Sequence, residues 1–117
     1  MITLTRNEIE ILVHRLEFLS NPDDTQDLYE GTDYDHEEVS SCAQAFLADL
    51  VGGSLALDPR TPAEVEAFCE AIEGSTFISG VSDEAEAGHI TRQKLSAFRA
   101  ALESLQAKVE SLREAYP

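Results

Sequence analysis

Carboxylates are the reactive groups that this chain supplies in number, and three placements bring them close enough to act together. Glu66, Glu70 and Glu73 are spaced by four and three residues, which puts them on one face of a helix, as helical carboxylates that share a pair of divalent ions must be. Such a site also needs an acidic pair on a second helix, and none stands at a matching spacing; the row suits a solvated face opposite a core stripe. Asp33-x-Asp35-x-Glu37 has the alternating acids that open a calcium loop, but Glu38 stands where that loop needs Gly and Gln44 where it needs Glu. His36, set among Tyr34, Asp35, Glu37 and Glu38, reads as a surface histidine at a helix start, and His14 and His89 have no catalytic companion nearby. There is no Gly-rich phosphate loop, no HExxH and no GxSxG. Catalytic residues, cofactor and metal are therefore all expected to be none.

Charge points instead to binding. Asp and Glu number 23 against 8 Lys and Arg, for a formal net charge of −15. That balance repels nucleic acid and attracts basic surfaces. No Lys or Arg falls between Arg15 and Arg60, an interval that holds Glu17, Asp23, Asp24, Asp27, Glu30, Asp33, Asp35, Glu37, Glu38, Asp49 and Asp58. Five of the eight basic residues lie after residue 90. The chain is predicted to be electrostatically two-sided, with its binding face on Asp23, Asp24, Asp27, Glu30, Asp33, Asp35, Glu37 and Glu38, joined by Glu66, Glu70 and Glu73.

The elements that must position these residues are helices. Thr5 with Glu8 forms a capping box, and Ile9, Leu12, Val13, Leu16 and Leu19 follow at helical spacing, widened by Ile11 and Phe18, until Asn21-Pro22 stops the run. Asp35 with Glu38 opens a second helix whose stripe is Val39, Cys42, Ala43, Phe46, Leu47 and Leu50, ended by Gly52-Gly53. Thr61-Pro62-Ala63-Glu64 starts a third, with Val65, Phe68, Cys69 and Ile72 inward and Gly74 as its C-cap. Residues 21 to 34 read as an acidic loop. Ser54–Leu57 and Thr76–Ser79 read as loops dropping apolar side chains onto the core, and residues 81 to 89 have room for one helical turn.

The last helix, from about 91 to 115, carries Leu95, Phe98, Leu102, Leu105, Val109, Leu112 and Tyr116 in strict heptad steps. Leu95, Phe98, Leu102, Leu105, Val109 and Leu112 form a candidate dimer seam. A parallel dimer would set Lys108 against the partner's Arg113, so antiparallel pairing, or packing on the acidic helices of the same chain, fits better. The expectation is all-α: residues 1–117 as a single domain, a small bundle of about four helices with a long C-terminal heptad helix.

No apolar run approaches the roughly 18 residues of a membrane span, and the opening residues lack a signal-peptide pattern, so a cytoplasmic protein is expected. Cys42 and Cys69, both inside apolar stripes and without CxxC spacing, read as buried free thiols. The Leu4–Leu12 opening looks like that of some helix-turn-helix domains. The following helix, however, lacks the Lys, Arg, Asn or Gln that a recognition helix uses, which argues against direct nucleic-acid binding.

The stretches Glu73-Gly74-Ser75-Thr76-Phe77, Lys94-Leu95-Ser96-Ala97-Phe98 and Ser104–Val109 resemble a family of small bacteriophage or prophage proteins, over roughly the C-terminal half and weakly in the Leu-Thr-x-x-Glu-Ile opening. The resemblance implies no active site. It implies a mobile-element origin, hence the host cytoplasm, where small acidic helical proteins include inhibitors of host defence such as anti-CRISPR proteins. The expected function is an acidic inhibitor or modulator that blocks a basic, nucleic-acid-binding protein surface, for example on a CRISPR effector. The alternatives are a homodimeric adaptor built on the heptad helix, and a metal-dependent enzyme like the all-α nucleotide pyrophosphatases.

Overall fold

In the computed structural model, which describes residues 1–116, each capping signal in the sequence becomes a helix start; two more helices form, one in the segment read as an acidic loop and one that begins in Thr76–Ser79 and takes in most of the single turn expected after residue 81. The helices are α1 (Arg6–Leu19), α2 (Pro22–Tyr29), α3 (His36–Val51), α4 (Pro62–Glu73), α5 (Phe77–Glu86) and α6 (Arg92–Ala115). Two short strands, β1 (Ile2–Thr3) and β2 (Ala56–Leu57), pair antiparallel with Ile2 opposite Leu57 and Thr3 opposite Ala56.

The acidic segment 21–34 is therefore not a loop throughout: most of it is α2. Asn21 accepts the Asp23 N–H at 3.0 Å and Pro22 takes the first helical position, so the residues that stop α1 also start the next helix. Buried Tyr29 and Thr25 hold α2 to the body, with the Thr25 hydroxyl donating to the His36 carbonyl at 3.4 Å. Thr76–Ser79 is likewise not a loop but the N-cap and first turn of α5, which lacks a side-chain cap. Ala56–Leu57, within a segment read as a loop, is a short strand that pairs with Ile2–Thr3.

The helices stack in three layers. α1 and α4 pack on each other in the middle; α3 covers both on one side with α2 beside it, and α6 covers both on the other with α5 beside it. Because α1 is covered from two sides, Ile11 is as fully buried as Leu12, Leu16 and Leu19, while Ile9 and Val13 are half-buried and Phe18 is exposed. Phe18 instead lies under the Arg15 guanidinium, 4.4 Å from its ring centroid.

The heptad seam of α6 is spent within the chain. Leu95, Phe98, Leu105, Val109 and Leu112 are buried and Leu102 is half-buried, whereas Tyr116 lies beyond the helix and is exposed. Polar contacts fix this seating. The Lys108 ammonium donates to Glu8 Oε2 at 2.6 Å and to the Thr3 carbonyl at 3.0 Å, and Glu8 Oε1 accepts the Thr5 N–H at 2.9 Å. Glu8 is 1% exposed. Burial by itself raises the Glu8 pKa, but the hydrogen bonds from Lys108 and Thr5 outweigh it and leave the carboxyl below its ordinary value.

A carboxylate whose pKa is lowered on folding stabilises above its unfolded pKa, about 4.3, and loses that contribution as pH falls through the folded value. Urea titrations of the wild-type chain should show this acid-side loss. Lys108→Met strands the Glu8 carboxylate and should cost about 3–5 kcal/mol at neutral pH. Only the Thr5 hydrogen bonds then oppose burial, so stability of that variant should recover on acidification; a cost that is the same at pH 4 and pH 7 would show that Glu8 does not depend on Lys108.

Candidate functional site

The expected binding residues divide into two groups with different surroundings. Asp23, Asp24, Asp27 and Glu30 lie on α2 or at its end, Asp33 and Asp35 in the turn after it, and Glu37 and Glu38 in the first turn of α3. All eight are exposed. Among the described residues none of them is in an ion pair. Asp35 caps α3 by accepting the Glu37 N–H at 3.0 Å; the reciprocal bond expected from Glu38 is not formed. The clustering has a local cause as well: Asp23, Asp24, Glu37 and Glu38 stand in first turns, where free N–H groups and the helix dipole favour negative charge.

Glu66, Glu70 and Glu73 are in a different position. Tyr29 donates to Glu66 Oε1 at 3.0 Å, Arg15 donates to Glu70 Oε1 at 2.8 Å, and Arg113 holds Glu73 through both of its terminal nitrogens. Glu66 and Glu70 are half-buried. The α4 row is thus not a free solvated face: α2, α1 and α6 each send one partner to it, because α4 sits in the middle layer. Gly74 ends α4 with a negative φ of −86°; its value there is space, since a Cβ would run into the Glu70 carboxylate and the Arg15 guanidinium.

The electrostatics follow from this packing. Burial, then the charges of Glu70 and Glu73, push the Glu66 carboxyl up against the lowering effect of Tyr29. Burial and the facing Glu66 carboxylate also push the Tyr29 hydroxyl well up, so it stays a donor. Burial raises the Cys69 thiol to about 11 and raises the Cys42 thiol as well; both cysteines are free, Cys69 buried and Cys42 half-buried. No group of three His, Cys, Asp or Glu side chains is placed to hold a metal ion among the described residues. His36 is half-buried and its carbonyl accepts from Thr25, while His89 Nδ1 lies 2.7 Å from Glu84.

Four of the eight basic side chains are paired within the chain: Lys108 with Glu8 and Arg15 with Glu70 where the carboxylate is buried or half-buried, and Arg113 with Glu73 and Arg60 with Asp58 at the surface. None of these four reaches the acidic face of α2 and α3. No helix is long and apolar enough to cross a membrane among the described residues. No family model, no curated protein and no solved structure matches the chain.

A carboxyl whose pKa is raised on folding opposes folding while it is charged, and that penalty disappears as pH falls through the folded value. Glu66→Gln keeps an acceptor for Tyr29 without the charge, so its melting temperature should exceed wild type at neutral pH and converge with it near pH 4. Tyr29→Phe removes the donor and should cost about 1 kcal/mol in urea titrations, mostly by loosening α2.

Proposed function

We propose that the chain is a protein-binding inhibitor or modulator whose face of Asp23, Asp24, Asp27, Glu30, Asp33, Asp35, Glu37 and Glu38 docks into a basic, nucleic-acid-binding groove of a partner protein. The observation that carries this reading is the division of the carboxylates. The chain's own cations neutralise Glu8, Glu70 and Glu73 and leave these eight exposed and without an ion pair within a stretch that holds no Lys or Arg, whereas the other exposed carboxylates without an ion pair, such as Glu17, Asp49, Glu86 and Glu110, are scattered along the chain.

Carboxylates carried on α2 and the start of α3 present negative charge from an ordered backbone, which steers a basic partner and lowers the entropy lost on docking. Occupying a groove meant for phosphates excludes nucleic acid without any reaction, so this reading needs no catalytic group. In this reading Glu66, Glu70 and Glu73 are left out of the contact surface: Glu66 ties α2 to α4 through Tyr29, while Glu70 and Glu73 tie α4 to α1 and α6. The phage resemblance suggests a host complex, such as a CRISPR effector, as the source of the basic groove. The homodimeric adaptor loses its proposed surface, because the α6 seam packs on α1 and α4.

Pull-down from host lysate followed by binding at graded ionic strength tests the proposal. Affinity for the captured partner should fall at least tenfold between low salt and 0.3 M, since screening acts most on exposed charges. Reversal of Asp27, Glu30, Asp33 and Asp35 to Lys should slow association about tenfold or more while the dissociation rate changes less. Salt-independent affinity, or an unchanged association rate in the reversed variant, would sink the proposal.

A further inference from the structure

α5 is the one helix with no fully buried residue, and where it lies across α1 and α6 it leaves a solvent-open groove of about 400 Å³. That size is within the range of small-molecule sites. The wall is aromatic: the ring of Phe77 meets His14 edge-on at 5.6 Å and Phe98 at 5.0 Å, centroid to centroid. The groove is open on the α5 side, where Gly80 is exposed and a Cβ added to it would meet no atom within 4 Å.

The charged groups that line the groove are Glu10 from α1, Glu84 from α5 and Lys94 from α6. The Lys94 ammonium stands 5.9 Å from the centroid of the Phe98 ring, so the groove already seats a cation against an aromatic side chain. Two carboxylates against one lysine, in a chain of net charge −15, make the local potential negative and favour a cationic ligand over an anionic one. Glu84 is also bonded to His89, 2.7 Å away, which draws its carboxylate toward the α5–α6 turn.

We infer that this groove is a binding site for a small aromatic amine. The aryl group packs against Phe77 and Phe98 and adds to the apolar surface that α5 buries, while the ammonium lies toward Glu10 and Glu84 and displaces that of Lys94. The site lies on helices other than α2 and α3, so it stands or falls independently of the proposed partner.

The test is an NMR titration of the full chain with phenethylammonium, and with hydrocinnamate as the probe of similar size and opposite charge. Saturable shifts of the Phe77, Phe98 and His14 ring signals are expected with the amine, and binding at least threefold weaker with the carboxylate. Gly80→Leu fills the groove on a helix with a better helix former and should abolish the shifts while the chain stays folded. Glu10→Gln with Glu84→Gln should weaken the amine about threefold, and Lys94→Met, which removes the competing ammonium, should tighten it about threefold. Absence of saturable shifts, equal or tighter binding of hydrocinnamate, unchanged binding in Gly80→Leu, or weaker binding in Lys94→Met would each overturn the assignment.

Discussion

The contact between Glu8 and Lys108 joins residues 100 positions apart and constrains much of the remaining fold. One carboxylate oxygen completes the capping box of α1 and the other receives the Lys108 ammonium, which also reaches the carbonyl of Thr3 in the strand pair. A buried carboxylate is tolerated only when it is paired and hydrogen-bonded. The start of α1, the N-terminal strand and the position of α6 along α1 therefore have to be satisfied together. With Lys108 held there, the α6 seam faces the middle layer, and Arg113, five residues further on, reaches Glu73.

The same arrangement explains the distribution of uncompensated charge. Lys108, Arg15 and Arg113 all point to α1 or α4; for Glu8 and Glu70 burial makes an unpaired carboxylate expensive, whereas the Arg113–Glu73 pair is exposed. At the edge of the α3 side, carboxylates remain in water, where a missing partner costs little. Their mutual repulsion is opposed by helix N-termini and by buried Tyr29 and Thr25. The outer layers differ in packing too: α2 has two buried anchors and α5 has none, which is why the open aromatic space lies beneath α5.

Much of the architecture was legible locally. Thr5–Glu8 and Thr61–Glu64 form both halves of their capping boxes, Thr91 caps α6, and the heptad from Leu95 to Leu112 is the inward side of that helix. The signal for α2 was present as well: Asn21-Pro22 is the same cap-then-proline device as Thr61-Pro62, masked by its equal fitness to end α1. For α5 there was little to read, because Thr76 makes no side-chain cap and the helix opens with Phe77 and Ile78, an aromatic and a β-branched residue. The strand pair was not readable, since Ile2 and Leu57 meet only through the fold.

By itself the sequence determined the all-helical class, four of the helix starts, the inward stripes and the basic-free interval, because caps, periodicity and charge counts act over a few residues. Tertiary structure alone decided which carboxylates are free. Glu8, as a capping residue, and Glu66, Glu70 and Glu73, as an acidic helical row, carry no local sign of the Lys, Tyr and Arg partners that meet them from 37 to 100 residues away. Side chains so distant in sequence meet only once the layers are stacked, and only then is it settled which carboxylates stay in water without a partner.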